Sequence, residues 1–178
     1  LNGLEKSKYA ENTIIVFWTD HGWHLGEKQH WRKFALWERA TRTPVIISTP
    51  ADRASGRVGM MCDRPASLLD IYPTLCELAG LPPLETFEGR SLVPLLNDAT
   101  AEPDRVAITT HGRNNHSIRS QEFRYIRYAD GSHELYNHRD DPNEWQNVVD
   151  QEQYAVVVRN LAKQLPKVNA PSVKEKTK

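Results

Sequence analysis

The chain has 178 residues, carries 23 basic and 23 acidic side chains, and is 39% hydrophobic. This length fits one domain, with or without a small appendage. The balanced charge gives no support for a nucleic-acid-binding stripe, and no apolar run approaches the roughly 20 residues that a membrane span requires. The two cysteines, Cys62 and Cys76, are too few for a disulfide scaffold or a thiolate metal cluster.

The first half of the chain predicts an α/β fold. Residues 1–10 have apolar positions at helical spacing, and they begin so abruptly that we expect residue 1 to be an internal point of a longer protein. Ile14–Trp18 is a continuous apolar run, which is typical of a parallel-sheet strand buried on both faces. Val45–Ser48, between two prolines, predicts a second strand.

A helix is predicted over Ile71–Ala79, with Asp70 as its N-cap and Gly80 as its C-terminal stop. The Pro-rich segment that follows, LPPLETFEGRSLVPLL, predicts a long irregular connection. Both features belong to the predicted first domain, residues 1–102.

After about residue 103 the pattern changes to short alternating segments, which predict a small antiparallel sheet. A helix over Tyr154–Leu165 and a solvated tail from about residue 169 complete the predicted second domain, residues 103–178. The four predicted strands are Val106–Thr110, Ser117–Arg119, Phe123–Tyr128 and Glu134–Tyr136.

The segment FWTDHGWHLGEKQHWRK, residues 17–33, concentrates chemically costly residues at a strand end. Ligands of open α/β sheets lie outside the carboxyl ends of strands, where Asp20 and His21 are expected. A carboxylate and an imidazole can bind the same divalent cation if the backbone turns sharply, as Gly22 permits. The alternative is that Asp20 caps the next element beside a hydrogen-bonded histidine.

Other residues in and around this segment also have more than one interpretation. His24 and His30 do not align with His21 on one helix face, so a structural zinc site is not expected. The basic side chains form either a surface salt-bridge network or contacts to an anion bound at the metal. Trp23 is either a core residue or part of a sugar-stacking wall. The basic residues concerned are Lys28, Arg32, Lys33, Arg39 and Arg42.

Five segments together resemble the sulfatases of the alkaline-phosphatase superfamily, most closely iduronate-2-sulfatase-like and related bacterial carbohydrate sulfatases. They are TIIVFWTDHGWHLGEKQHWRK, LWERATRTPVII, SLLDIYPTLCELAGLP, EGRSLVPLL and ELYNHRDDPNEWQNV. The resemblance implies the C-terminal part of an alkaline-phosphatase-like α/β sandwich, followed by a small antiparallel sheet and a helix. It also implies hydrolysis of sulfate esters, on a sulfated sugar as substrate, by a periplasmic, secreted or lysosomal enzyme.

The resemblance assigns roles to particular residues. Asp20 and His21 match two ligands of a Ca²⁺ ion, with Mg²⁺ possible, and Lys33 matches the catalytic lysine that contacts the sulfate and its bridging oxygen. Substrate-binding roles follow for three residues of the pocket wall: Trp23, His24 and Arg42.

The nucleophile that the resemblance implies is a formylglycine made from a Cys or Ser in a C/S-x-P-x-R motif. No such motif occurs in the sequence, since Cys62 is followed by Asp63, Arg64 and Pro65 in the wrong order. We therefore expect this chain alone to be incomplete and inactive, and to need the missing N-terminal part of the same enzyme as its partner. Two alternatives stay open: a two-metal phosphodiesterase or phosphatase with His111 as a further ligand, and a non-catalytic fragment.

Overall fold

The computed structural model describes residues 1–171. Residues 172–178, which hold most of the predicted tail, lie outside the described residues. Within the described range, no helix combines the length and the apolar character that crossing a membrane would take. The described α-helices are α1 (Asn2–Glu5), α2 (Glu38–Thr41), α3 (Pro50–Ser55), α4 (Ile71–Leu78), α5 (Val93–Asn97) and α6 (Ala155–Ala162).

The strands form three separate antiparallel sheets: β1 with β4, β2 with β3, and β5-β6-β7-β8 in sequence order. Short 3₁₀ turns at Ala10–Asn12, Glu27–Gln29, Leu68–Asp70 and Glu152–Tyr154 connect some of the elements. The strands are β1 (Ile15–Trp18), β2 (His24–Leu25), β3 (Trp31–Arg32), β4 (Val45–Ser48), β5 (Ala107–Thr110), β6 (His116–Arg119), β7 (Phe123–Arg127) and β8 (His133–Asn137).

The four-stranded sheet confirms the prediction for the C-terminal half, and its strand ends differ from the predicted ones by only a residue or so. One face of the sheet buries Ile118, Tyr125 and Leu135 against Leu161 of α6. The β7–β8 turn contains Gly131 at φ +92°, a conformation that glycine adopts without strain. The alternating pattern therefore predicted this sheet and helix correctly, while the boundary near residue 102 stays a prediction.

The pairing of β1 differs from the expectation. β1 runs antiparallel to β4, with Ile15 opposite Ser48, and Phe17 and Trp18 are 59% and 50% exposed in the described chain. The predicted parallel strand buried on both faces is therefore wrong for this pair. An apolar run indicates that a strand can bury apolar surface. Whether the next strand pairs with it parallel or antiparallel depends on the path of the chain between the two strands.

Two helix predictions also need correction. The helix over residues 1–10 is α-helical only at Asn2–Glu5, because Ser7 Oγ donates to the Leu4 carbonyl and accepts from the Tyr9 amide. Such local side-chain bonds compete with helix propagation. α5 occupies the last four residues of the segment predicted to be irregular and extends one residue beyond it.

α4 begins at Ile71 as predicted and ends at Leu78, one residue before the predicted end, with Gly80 following it at φ +68°. Asp70, however, makes no side-chain cap bond to α4. Its carboxylate instead accepts from the Ser67 and Arg90 amides at 2.7 and 2.8 Å and pairs with Arg105 Nη2 at 2.7 Å. The residue thus fixes the chain around α4 rather than capping it.

Candidate functional site

The turn after β1 carries Asp20 and His21, and its shape depends on close packing against α2. The Gly22 amide donates to the Ala40 carbonyl at 2.8 Å. A Cβ atom at Gly22 would lie 2.0 Å from the Arg39 carbonyl oxygen, which no real side chain can tolerate. Glycine is therefore required here for space, so that the turn and α2 can touch backbone to backbone.

The His21 ring is oriented by this same turn. Its Nδ1 lies 2.7 Å from the Gly22 carbonyl oxygen, which can only accept, so Nδ1 carries the proton. The lone pair of the neutral ring is then on Nε2, which accepts a hydrogen bond from Lys33 Nζ at 2.9 Å. Asp20 Oδ2 lies 3.5 Å from the same Nε2, and its side chain is 78% exposed. The structure thus brings Asp20, His21 and Lys33 to one point.

This donor set suits a divalent cation. A carboxylate oxygen and an imidazole nitrogen, with the second ring nitrogen bonded to a backbone carbonyl, form a common arrangement of metal ligands. Ca²⁺ and Mg²⁺ take six or more ligands, mainly oxygen, so Asp20 and His21 would supply only part of such a shell. The Lys33 ammonium now occupies the Nε2 lone pair, and a cation that bound there would displace it.

The other predicted site residues are placed differently from one another. Arg42 lines the same open groove, of about 1900 Å³, as Asp20, His21 and Lys33. Trp23 is half-exposed, with its ring centre 6.1 Å from that of His21.

His24 is fully buried, with its ring centre 5.1 Å from that of His30 and 5.9 Å from that of Trp37. Burial lowers the pKa of His24, which favours the neutral ring. In the described structure His24 lies inside the loop rather than on its surface, and its substrate-binding role stays a prediction.

The structure adds Phe34, which sequence reasoning did not place at the site, beside His111, which the sequence suggested only as a further metal ligand. The Phe34 ring stacks on His111 with centres 5.6 Å apart and planes at 27°. Phe34 is 60% exposed, and Lys33 Nζ lies 5.8 Å from its ring centre. No sequence signal could have joined these residues, because β5 brings His111 to the loop only through tertiary packing.

The loop before Lys33 has an unusual backbone. Lys28, Gln29 and Arg32 have φ values of +55°, +56° and +79°, which cost energy in non-glycine residues and persist only where neighbours hold them. The Lys28 side chain stabilises this backbone, since its Nζ donates to Tyr136 Oη at 2.9 Å and lies 4.5 Å from the centre of the Tyr136 ring. The loop is thus held in shape from the C-terminal sheet.

A second cluster of potential ligands lies beside α2. Glu38, His138 and Glu144 have ligand atoms within 4.8 Å of one another. The Arg124 guanidinium is bonded to both carboxylates, so these charges are already neutralised. This cluster is a buried ion-pair network rather than a second metal site.

Comparison with known proteins identifies the chain's relatives. A "Sulfatase" from Formosa agariphila is 43% identical over 170 residues, and Arylsulfatase K from Danio rerio is 32% identical over 183 residues. Each match covers 96% of this chain, but only 33% and 34% of the respective relative. The chain therefore spans about a third of the length of the curated relatives it matches.

Solved structures share the fold. A structure of BT4656 in complex with its substrate D-glucosamine-2-N,6-O-disulfate is similar with a TM-score of 0.72 and 29% identity, over 93% of this chain and 35% of that one. A phosphonate monoester hydrolase of Agrobacterium radiobacter is similar with a TM-score of 0.75 and 28% identity, over 92% of this chain and 36% of that one. The expected alkaline-phosphatase-like fold is thereby confirmed.

The family model "N-sulphoglucosamine sulphohydrolase, C-terminal" matches residues 26–171, which is most of the chain. The curated relatives are sulfatases too, and so are the proteins that the segments around Asp20 and in the C-terminal sheet resemble. The chain belongs to this family of sulfatases and corresponds to its C-terminal region.

Proposed function

We propose that the protein containing this chain hydrolyses sulfate esters on a sulfated carbohydrate. The observation that carries the proposal is the convergence of the Asp20 carboxylate, His21 Nε2 and the Lys33 ammonium at one surface point. Membership of a sulfatase family and the sulfated-sugar complex of BT4656 support it.

In this proposal Asp20 and His21 hold a divalent cation, Ca²⁺ or alternatively Mg²⁺. When bound, the cation would neutralise charge on the sulfate oxygens. Lys33 provides a mobile positive charge beside it, which stabilises the negative charge that grows on the leaving oxygen as the ester bond breaks. The Gly22 carbonyl keeps the proton on His21 Nδ1, so that the lone pair on Nε2 stays directed into the site.

The nucleophile lies outside this set of residues. The formylglycine expected from the resemblance needs a C/S-x-P-x-R motif, which the 178 residues do not contain. We therefore assign to this chain only binding, orientation and charge stabilisation, and propose that by itself it is inactive. Its partner in this proposal is the remaining part of the same enzyme.

The sugar would pack against aromatic side chains close to His21 and Lys33. Trp23 and the Phe34–His111 stack offer flat faces next to Lys33, and such faces pack well against sugar rings. Arg42, whose side chain is 80% exposed and lies 3.9 Å from Glu38, would turn from that carboxylate toward a second anionic group of the substrate. A sulfated glucosamine is the first substrate class to test, given the ligand named for BT4656.

A second candidate function is hydrolysis of phosphonate or phosphate esters, which the similarity to the phosphonate monoester hydrolase favours. A two-metal version needs more ligands than the described residues bring to Asp20 and His21. Among residues 1–171, the only group of three or more clustered ligands is the Glu38 network. His111, considered as a further ligand, stacks on Phe34 instead.

Steady-state kinetics of the intact protein would decide between these functions. We expect a higher kcat/KM for an aryl sulfate and for a sulfated glucosamine than for an aryl phosphate or phosphonate. Lys33→Ala should lower kcat on the sulfate about 10²-fold, whereas the exposed Lys6→Ala should leave it unchanged. Faster turnover of phosphonate, or an unchanged kcat for Lys33→Ala, would contradict the proposal.

A further inference from the structure

Arg124 is a buried cation held between two buried carboxylates. It is 2% exposed, and its Nε donates to Glu144 Oε1 at 2.6 Å while its Nη2 donates to Glu38 Oε2. Arg119 and His138 complete the network, with Arg119 Nε 3.3 Å from Glu38 and His138 Nε2 2.9 Å from Glu144. Buried charges need such partners, and their planar geometry makes the pairing directional.

The network is hydrogen-bonded to the start of α2. Arg124 Nη1 donates to the Leu36 carbonyl at 3.2 Å, and the Glu38 amide donates to Glu144 Oε2 at 2.7 Å. The latter bond satisfies one of the amides that a helix leaves free in its first turn. α2 has only four residues, too few to persist without outside support, so its position depends on these bonds.

α2 in turn is in contact with the candidate site. Its Ala40 carbonyl accepts from the Gly22 amide, and the Arg39 carbonyl lies against Gly22 with no room for a Cβ. Gly22 then holds the His21 ring through its own carbonyl. A continuous series of contacts therefore runs from Arg124 to His21 Nε2.

We propose that Arg124 is a positioning residue, which acts through Glu38, Glu144 and α2 to fix the turn that carries Asp20 and His21. It makes no hydrogen bond to either site residue in the part of the chain that the structure describes. The consequence for metal affinity rests on the proposed function, whereas the consequence for the rigidity of the turn does not.

The test compares two buried arginines in the intact protein. Arg124→Lys keeps the charge but loses the forked geometry that reaches Glu38, Glu144 and the Leu36 carbonyl together. Arg105→Lys is the matched control, because Arg105 is equally buried and paired with Asp70 and Glu102, and none of its hydrogen bonds within residues 1–171 leads to Gly22. Both variants should lose thermal stability.

Two readouts separate positioning from stability alone. In hydrogen-exchange mass spectrometry, the peptide containing the Gly22 amide should exchange about tenfold faster or more in Arg124→Lys, and at the wild-type rate in Arg105→Lys. In a Ca²⁺ titration of the metal-free protein, the Kd should rise about tenfold for Arg124→Lys only, in line with the effect of residues that orient ligands.

Equal exchange at Gly22 in both variants would overturn the inference, whatever their stability. If the wild type does not bind Ca²⁺, the proposed metal role fails, while hydrogen exchange still decides the positioning role. Should Arg124→Lys not fold, Ser117→Ala provides the milder change. It removes only the hydroxyl that accepts from Arg124 Nη1 at 2.6 Å, and it should increase exchange at Gly22 in the same direction.

Discussion

Replacing Glu144 with alanine tests how much of the fold depends on the buried network. The carboxylate is 1% exposed and accepts from three donors: Arg124 Nε at 2.6 Å, His138 Nε2 at 2.9 Å and the Glu38 amide at 2.7 Å. Alanine would remove all three bonds and leave Arg124 with Glu38 as its remaining carboxylate. The amide at the start of α2 would also lose its acceptor.

The expected loss of unfolding free energy can be worked out from these lost bonds. Removing one partner of a buried ion pair costs about 3–5 kcal/mol, because the other charge stays buried. Glu38 keeps a share of the attraction to Arg124, which places the charge contribution at the lower end. The orphaned Glu38 amide adds about 1 kcal/mol, so the total loss of unfolding free energy should be about 4 kcal/mol.

Urea unfolding of the intact protein at neutral pH, followed by tryptophan fluorescence, would measure this loss. Glu85→Ala is the control, since Glu85 is exposed and makes no hydrogen bond in the described structure; it should change the unfolding free energy by less than about 0.5 kcal/mol. A loss below about 1 kcal/mol for Glu144→Ala would refute the reasoning, because it would mean that water replaces the carboxylate without penalty.

Asp20→Ala should lower the metal content of the purified protein by about tenfold with little change in Tm, since its carboxylate faces solvent; full occupancy by elemental analysis would refute the ligand role. Gly22→Ala should destabilise the protein by about 1–3 kcal/mol, because the added Cβ would meet the Arg39 carbonyl at 2.0 Å; an unchanged Tm would contradict the tight packing. Burial raises the pKa of Glu38, but the charges of Arg124, Arg119 and His138, together with the hydrogen bond from Arg124, outweigh it and leave that pKa below its usual value. The stability this carboxylate contributes is therefore complete above about pH 4.5 and is lost as pH falls through the lower folded pKa. A wild-type Tm that is flat from pH 7 to 5 and then falls more steeply than that of Glu38→Gln would confirm the sign.

The parts of the fold that local patterns control were predictable from the sequence. The alternating segments from residue 106 to 136 predicted the four-stranded sheet, and α4 was predicted from Asp70 and Gly80 at its two ends. The direction of β1 was wrong, because it depends on the path of the chain between the two strands rather than on their composition. The N-terminal helix was shortened by Ser7, whose side chain bonds to the backbone in place of the helix.

The candidate site was predictable only where its residues share one short motif. Asp20, His21 and Lys33 lie within fourteen consecutive positions and meet as expected. The same motif suggested His24 as a pocket residue, although its side chain turns inward. Phe34 was missed, and its stacking on His111 was not foreseen, because nothing in either local sequence indicates the other.

The ending ELYNHRDDPNEWQNV shows why a family signature can matter without touching the site. Each of four positions in it bonds to a residue of the loop before or within α2. Trp37 Nε1 donates to Glu134 at 2.7 Å, Lys28 Nζ to Tyr136 at 2.9 Å, Arg39 Nη2 to Asn143 at 3.2 Å and the Glu38 amide to Glu144 at 2.7 Å. The Glu38–Glu144 bond joins residues 106 positions apart. These bonds stabilise a strained loop that needs support from its neighbours, so the signature and the motif around Asp20 form one structural unit. A substitution in either is therefore expected to change the position of His21.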